Sequence, residues 1–293
     1  MSLMGILDRI ADSATFDRAI EPARRAVLAA LKPQAFKDLL HGTWLGHPVH
    51  PVLVQVPVGS WTSAGLLDAI PAMRPAATVL IGTGVAASIP AALSGAADWS
   101  EQGVGVQRLG ALHAAGNTLA LGLYVGSLVA RARGRGGLGR VLSYAGLGVA
   151  TGSAAVGGHM SYAQSSGASH AATAARALTS DWIDLGPLDD LPDGRPALRT
   201  GGGSGVDVPL AVVRRGTRVD VFIGACSHLA GPMYEGRIER VRGSDCLVCP
   251  WHDSAFDLAD GQPRRGPAAN PQDKLEVRMQ AGRVMARLPG RDR

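Results

Sequence analysis

The sequence predicts two domains of different fold class, an N-terminal bundle of four transmembrane helices followed by a small antiparallel all-β domain. Two observations support this prediction. Apolar and almost uncharged sequence is concentrated before about residue 160, whereas the remainder carries acidic and basic residues at the density of a soluble domain. The length of 293 residues also suits two domains.

Four apolar windows predict the transmembrane helices, because a helix needs about 20 residues to cross the hydrocarbon core of a bilayer. The windows are residues 51–70, 76–95, 111–130 and 141–158. Only Asp68 is charged within them, and Gly, Ala, Ser and Thr are frequent, as they are where membrane helices pack closely. A soluble bundle of alanine-rich helices is the alternative, and four consecutive windows with so little charge disfavour it.

The flanking sequence completes the predicted organisation. The predicted divisions are an amphipathic surface segment at 1–45, a membrane domain at 46–162, a linker or short helix at 163–181 and the β domain at 182–290. Four spans place both termini on one side of the membrane. The charges of the loops are divided, since Lys32 and Lys37 favour an internal N-terminus whereas the arginine-rich loop 131–140 would then face outward. No secretory signal is visible, so we expect a multi-pass membrane protein with its β domain on the cytoplasmic side.

The amino-acid composition limits the classes of binding partner that are expected. The net charge is +5, but arginine is spread along the chain rather than gathered in a patch, so no nucleic-acid partner is expected and a membrane surface is favoured. The three cysteines, an odd number, argue against a disulfide framework.

The second half carries hairpin patterns. "DVPLAVVRRGTRVDVFIGA" consists of two alternating runs around a Gly turn, and "KLEVRMQAGRVMARL" repeats the pattern around Ala281-Gly282. "AFDLADGQP" ends a third strand at Asp-Gly. These patterns predict a small antiparallel β domain.

Two short loops, each placed directly after a predicted strand, supply metal-binding side chains. "CSH" contains Cys226 and His228, and "CPWH" contains Cys249 and His252. Two thiolates and two imidazoles can hold zinc or an iron–sulfur cluster. Because each loop gives one Cys and one His, the pattern favours a cluster with two unlike irons, one bound by the thiolates and the other by the imidazoles.

"CSHLAGPMYEG", "CPWHDSAFDLADGQP" and "GPAANP" together resemble a Rieske [2Fe-2S] domain over about residues 182–290. The resemblance implies that the two cysteines hold the iron that stays ferric and the two histidines hold the iron that changes oxidation state. Quinol-oxidising members have a disulfide between the loops, whereas Gly231 and Trp251 stand at those positions here, so the ferredoxin and oxygenase branch is expected. Cys246 precedes the second loop and is expected to be buried.

The first half resembles a bacterial four-helix membrane-domain family of unassigned function, through "HPVHPVLVQVPVG", "SGAADW", "RLGALHAAGN" and "GGHMSY". In a four-span topology one membrane face gathers a set of polar residues and also the β domain. They are His47, His50, His113, His159 and Asp98. Polar groups at one depth suggest a second site, for haem b or a quinone, and interfacial capping of helices is the equally weighted alternative.

The predicted function is one-electron transfer between a soluble reductase, an oxygenase or a respiratory component and a redox partner at the membrane. A redox-sensing or accessory subunit of an oxidoreductase complex is the alternative. A self-contained oxygenase would need a mononuclear iron site of two His and a carboxylate in a large substrate domain. The sequence after the β domain is short and the linker contains only His170, so an electron-transfer protein is favoured over an enzyme.

Overall fold

The computed structural model describes residues 3–179, 181–203 and 206–290. The predictions made for residues 1, 2, 180, 204, 205 and 291–293 lie outside the described residues. The chain forms two compact units. The first unit comprises residues 1–32 and 49–166, and the second comprises residues 33–48 and 167–293. The four-way division predicted from the sequence stays a prediction, but these units place residues 33–48 with the β domain rather than with the N-terminal segment.

The first unit is helical. Its helices are α1 (Leu3–Asp12), α2 (Asp17–Ala30), α4 (His50–Leu53), α5 (Gln55–Asp68), α6 (Arg74–Ser100), α7 (Val104–Ala132) and α8 (Gly136–Tyr162). The second, third and fourth apolar windows fall inside α6, α7 and α8. By length and composition, the three stretches able to cross a membrane in the described chain are Pro71–Ser100, Val104–Ala132 and Gly136–Tyr162.

The first apolar window does not form one long helix, so the predicted bundle of four transmembrane helices is not confirmed. The helix is interrupted at Val54, and α5 has only 14 residues. Pro57 explains the interruption, because it has no N–H to donate to the carbonyl of Leu53 and its ring crowds that carbonyl. The prediction of one long helix considered only the apolar character of residues 51–70 and not the effect of Pro57.

Aromatic stacking and an ion pair hold the helices of the first unit together. The rings of Trp61 on α5 and Tyr124 on α7 stack, with centroids 4.3 Å apart and planes 14° from parallel. Gly84 on α6 makes room for the indole, since a Cβ there would lie 2.3 Å from Nε1 of Trp61. Near one end of the same helices, Asp68 forms a buried ion pair with Arg131. Opposite charges with two hydrogen bonds satisfy each other where water is excluded.

The second unit contains an antiparallel β domain with two helices, α3 (Gln34–His41) and α9 (Ala172–Ala177). The strands are β1 (Ile183–Pro187), β2 (Pro196–Gly203), β3 (Val206–Arg215), β4 (Arg218–Ile223), β5 (Arg237–Val241), β6 (Ser244–Val248), β7 (Ala255–Asp257), β8 (Pro263–Arg265), β9 (Lys274–Gln280) and β10 (Arg283–Arg287). In the described residues one sheet has the order β1-β10-β9-β4-β3-β2 and the other β5-β6-β7-β8.

The predicted hairpins β3–β4 and β9–β10 are confirmed. At the turn between β9 and β10, Ala281 and Gly282 have φ of 50° and 77°, the left-handed pair that closes a two-residue hairpin with the correct twist. The segment expected to be a linker or short helix contains α9, and Ala171 and Ala175 are buried in the same hydrophobic cluster as strands β3 and β4.

Candidate metal centre

The two loops with the Cys and His residues have the same backbone geometry. In the first loop, the N–H of Cys226 donates to Gly231 O and the N–H of Ala230 donates to Cys226 O. In the second, the N–H of Cys249 donates to Ser254 O and the N–H of Asp253 donates to Cys249 O. In each loop the fourth residue after the cysteine is left-handed, with φ of 59° for Ala230 and 57° for Asp253. This turn reverses the chain within a few residues and lets one loop present both a thiol and an imidazole.

The structure brings the four predicted side chains together as two pairs. The thiols of Cys226 and Cys249 are buried and hydrogen-bonded to each other. The rings of His228 and His252 lie edge to face with centroids 5.1 Å apart. In the described residues no three His, Cys, Asp or Glu side chains converge on one ion position. Two pairs fit a two-iron cluster better than a single zinc ion, which needs four converging donors.

One buried nitrogen supports this fit. Nδ1 of His228 is buried and has no hydrogen-bond partner in the described part of the chain. A buried polar atom without a partner is rare in folded proteins and is expected where a ligand occupies that position. The roles of the four residues as cluster ligands stay a prediction that this geometry fits.

The thiol pair is electrostatically asymmetric. Hydrogen bonding from Cys226 and from the backbone N–H groups of Trp251 and His252 lowers the pKa of Cys249 to about 7. The hydrogen bond to Cys249 and burial raise the pKa of Cys226. Burial, followed by the charges of His252, His41 and His170, lowers the pKa of His228 to about 3. The pair therefore readily yields one thiolate, and His228 is neutral, the form in which an imidazole can bind metal.

A third loop, residues 266–272, joins the two metal-binding loops. The side chain of Gln272 accepts from the N–H of Ser227 at 2.8 Å and donates to the carbonyls of Ile223 and Ala225. The N–H of Ala268 donates to Ser254 Oγ at 2.9 Å. The hydroxyl hydrogen of Ser254 is therefore available for another acceptor, such as a cluster sulfur. The sequence indicated this loop only through "GPAANP", and it did not indicate a role for Gln272 or Ser227.

Asp38 on α3 holds the start of this third loop. Its buried carboxylate accepts from the N–H of Gly266 at 2.8 Å, from Gln34 at 2.9 Å and from Arg242 at 2.6 Å. The sequence contained no signal for this contact, because Asp38 lies more than 200 residues before Gly266 in the chain. A helix from the N-terminal region is thus part of the scaffold of the metal centre.

The structure also explains the residues found at the two positions where quinol-oxidising Rieske proteins have a disulfide. A Cβ on Gly231 would lie 2.8 Å from Cys249 Sγ and 3.1 Å from the Trp251 ring, so a larger side chain has no space. Trp251 is 58% exposed, and its ring lies against His252 with centroids 6.4 Å apart. Cys246 is buried with its thiol 3.6 Å from Ser244 O, as predicted, and burial raises its pKa to about 11.

The membrane histidines make local contacts. His50 Nδ1 lies 2.8 Å from Ala91 O, and His113 Nδ1 lies 2.8 Å from Ser153 O. His113 Nε2 lies 3.0 Å from the amide nitrogen of Asn117, so both of its ring nitrogens have partners. His159 lies 3.1 Å from Asp8.

The remaining members of the predicted second site are His47 and Asp98. His47 belongs to the second unit, where its Nδ1 lies 3.0 Å from the carbonyl of Pro48. Asp98 lies near the end of α6. The contacts fit the capping alternative, and a second site formed by these residues stays a prediction.

Comparison with known proteins gives a family match in each of the two units. Residues 181–279 match the family described as "Rieske [2Fe-2S] domain", and residues 46–175 match "Predicted membrane protein (DUF2231)", whose function is unassigned. The anthranilate 1,2-dioxygenase ferredoxin subunit of Burkholderia cepacia is 30% identical over 108 residues, covering 37% of this chain and 93% of that protein. Ferredoxin CarAc of Metapseudomonas resinovorans is 29% identical over 105 residues, covering 35% and 90%.

The solved structure of the carbazole 1,9a-dioxygenase ferredoxin from Nocardioides aromaticivorans aligns with 25% identity and a TM-score of 0.32, covering 37% of this chain and 98% of that chain. The family match and the ferredoxin subunit of Burkholderia cepacia identify the second unit as a Rieske [2Fe-2S] domain with ferredoxin-subunit homologues. The chain belongs to the Rieske [2Fe-2S] family, and its cofactor is a [2Fe-2S] cluster.

Replacing Asp38 with Ala should destabilise the Rieske domain by about 1–3 kcal/mol, because the buried N–H of Gly266 loses its acceptor. The measurement is denaturation of the holoprotein followed by cluster absorbance, with the EPR spectrum recorded before unfolding. Glu276→Ala is the matched control, since it removes a half-exposed carboxylate that pairs with Arg287 and should cost less than about 1 kcal/mol. Equal losses in the two variants would contradict the proposed role of Asp38.

Phe256→Tyr should raise the reduction potential of the cluster, and Ser254→Ala should lower it. Rieske potentials span roughly −150 to +300 mV and rise with hydrogen bonds that stabilise the more negative reduced cluster. Phe256 is buried in the same hydrophobic cluster as the two cysteines predicted to bind the cluster, and it offers no hydroxyl, so the wild-type value is expected in the lower half of that range. Each substitution should shift the potential on the order of 60 mV, about 1.4 kcal/mol for one electron, in redox titrations monitored by EPR. A fall in Phe256→Tyr would show that the new hydroxyl does not serve the cluster.

Proposed function

We propose that this protein is a membrane-anchored Rieske electron carrier, which passes single electrons between a soluble redox partner and an acceptor or donor at the membrane. The observation that supports this proposal most directly is the combination of two domains in one chain. A domain that covers 93% of a relative named as a dioxygenase ferredoxin subunit is joined to a domain of a predicted membrane protein family. Tethering raises the effective concentration of a carrier at its membrane partner. A redox-sensing or accessory subunit is the second candidate.

When bound, the cluster would hold the transferred electron, and the protein would provide its ligands and the hydrogen bonds around it. We assign Cys226 and Cys249 to one iron and His228 and His252 to the other. The neutral state of His228 and the thiolate character of Cys249 suit them to bind metal. The backbone N–H groups of Trp251 and His252 donate to the sulfur of Cys249 and stabilise its negative charge. Trp251, exposed beside His252, provides an apolar contact for a docking partner on the histidine side.

We further propose that α4 and α5 together form the first of four membrane crossings, with α6, α7 and α8 as the others. Residues of α5, α6, α7 and α8 share one hydrophobic cluster, which supports a common bundle. Large apolar side chains on these helices also face outward, as lipid contact requires. The most exposed include Leu66, Val79, Ile89, Leu119 and Val141, each more than half exposed.

The ligand assignment predicts the metal content and its sensitivity to mutation. Purified protein should contain two irons and two inorganic sulfides and give an EPR signal of mixed His and Cys ligation after reduction. His228→Cys or His252→Cys should change this signal. Cys246→Ser is the matched control and should leave the signal intact, because Cys246 is buried among Val241, Val248 and Ala255. Stoichiometric zinc in protein made under iron-replete conditions would refute the assignment.

If the protein is an electron carrier, each cluster should be reduced and reoxidised many times. Protein in native membranes should pass electrons from a photoreduced soluble flavin to the membrane, with a rate proportional to the amount of holoprotein; the cluster-free Cys249→Ser variant serves as control. A pyridine haemochrome assay and added quinone would identify the membrane-side acceptor, for which haem b and a quinone are the two candidates. Cluster redox cycling without transfer to the membrane would favour the sensor.

We place the Rieske domain on the cytoplasmic side. The native cysteines are almost completely buried, so a single exposed cysteine can report the orientation. The side chain of Asp189 is 95% exposed in the Rieske domain. Asp189→Cys should react with an impermeant thiol reagent in inverted membrane vesicles and remain unlabelled in intact cells. Labelling of intact cells would place the domain outside.

A further inference from the structure

The first unit contains an arginine-lined pocket that electron transfer does not use. Its volume is about 360 Å³, and it lies where α6 and α8 begin and α7 ends. The lining residues are Arg74, Pro75, Thr78, Arg131, Gly134, Gly136, Gly137 and Arg140. We call this feature the arginine pocket.

Only one of the three arginines in the pocket is neutralised by a carboxylate. Arg131 pairs with Asp68 and also donates to Thr78 Oγ1 and to Ser127 Oγ, each at 3.2 Å. In the described part of the chain, Arg74 and Arg140 have no carboxylate within ion-pair distance. The Nε of Arg74 is buried and has no hydrogen-bond partner there. Two guanidinium groups therefore line one cavity without a carboxylate partner among the described residues, which favours the binding of an anion.

Two helix beginnings add to the positive potential. Helices α6 and α8 both have 27 residues, and neither of their N-cap residues, Met73 and Arg135, makes a side-chain capping hydrogen bond. The first N–H groups of a helix lack partners within the helix and carry the positive end of its dipole. Two such ends at one cavity, with two unpaired arginines, favour an oxyanion with several acceptor oxygens.

We propose that the arginine pocket binds a phosphate group, supplied by the headgroup of an anionic phospholipid. The position of the pocket supports this source, because it lies at the ends of three helices whose length and composition suit a membrane span. Headgroup phosphates lie at such ends, and basic pockets between membrane helices retain anionic lipids. Asp68 acts as a positioning residue, because its pairing fixes Arg131 as one wall of the pocket. Free inorganic phosphate has the same chemistry and is the alternative source.

The test uses full-length holoprotein purified in mild detergent and probed with phosphatidylglycerol, phosphatidylcholine and inorganic phosphate. Phosphatidylglycerol should bind in native mass spectrometry and raise the thermal unfolding midpoint more than phosphatidylcholine does. Arg74→Gln or Arg140→Gln should weaken phosphatidylglycerol binding about 5-fold, and the double variant about 30-fold. Arg133→Gln is the matched control, since Arg133 is exposed in the same loop and does not line the pocket, and its effect should stay within about 2-fold.

The wild-type measurements decide the proposal even if the double variant does not fold. Saturable binding of inorganic phosphate in lipid-free detergent, competing with phosphatidylglycerol, would support the phosphate site with a free ion as its source. Preference for phosphatidylglycerol without such competition would support the lipid. Equal binding of both lipids together with no phosphate binding would overturn the proposal. Unchanged phosphatidylglycerol binding in a double variant with a normal cluster spectrum would overturn it as well.

Discussion

The proposed metal centre depends on one constraint: two separate sharp turns must each present a cysteine and a histidine to one common site. The turn with Cys226 follows β4 in the six-stranded sheet, whereas the turn with Cys249 follows β6 in the four-stranded sheet. In the proposed ligand assignment, the cluster would link two sheets that share no ladder in the described residues. Because ligand geometry tolerates little displacement, the rest of the domain has to fix these turns relative to each other.

The surrounding residues meet this constraint through hydrogen bonds rather than through a disulfide. Gln272 uses its amide to connect the first turn to the third loop, and Ser254 connects the second turn to the same loop. Asp38 then ties the beginning of that loop to α3. Each of these polar groups is buried and has partners, which is the condition under which a buried polar network rigidifies a site. The small Gly231 leaves space for Cys249 and Trp251, where a bridging cysteine would not fit without rearrangement.

The helical unit also contains contacts between residues that lie 63 positions apart in the chain. Three pairs of residues share the same spacing of 63 positions: His50 with His113, Trp61 with Tyr124, and Asp68 with Arg131. The structure stacks the second pair and joins the third pair as an ion pair. In the first pair, His50 lies against the carbonyl of Ala91 on α6, and His113 lies against the carbonyl of Ser153 on α8.

The helical character of the first half, the hairpins of the β domain and the four residues proposed to bind the cluster could be predicted from the amino-acid sequence. These features are local, because a strand, a two-residue turn and a Cys-x-His loop each depend on residues that are adjacent in the sequence. Cys246 could also be excluded from the site by its position on a strand. The break at Val54 was missed, because a hydropathy window does not register the hydrogen bond that Pro57 removes.

The distant residues that support the site became visible only in the folded chain. Asp38 and Gly266 meet although most of the chain lies between them, and no periodicity marks either residue. The same holds for Arg74 and Arg140, which line one pocket only because α6 and α8 begin at the same end of the unit. Among the described residues, the two guanidinium groups have no carboxylate partner in that folded arrangement. Sequence spacing cannot show this, because pairing of charges depends on distance through space.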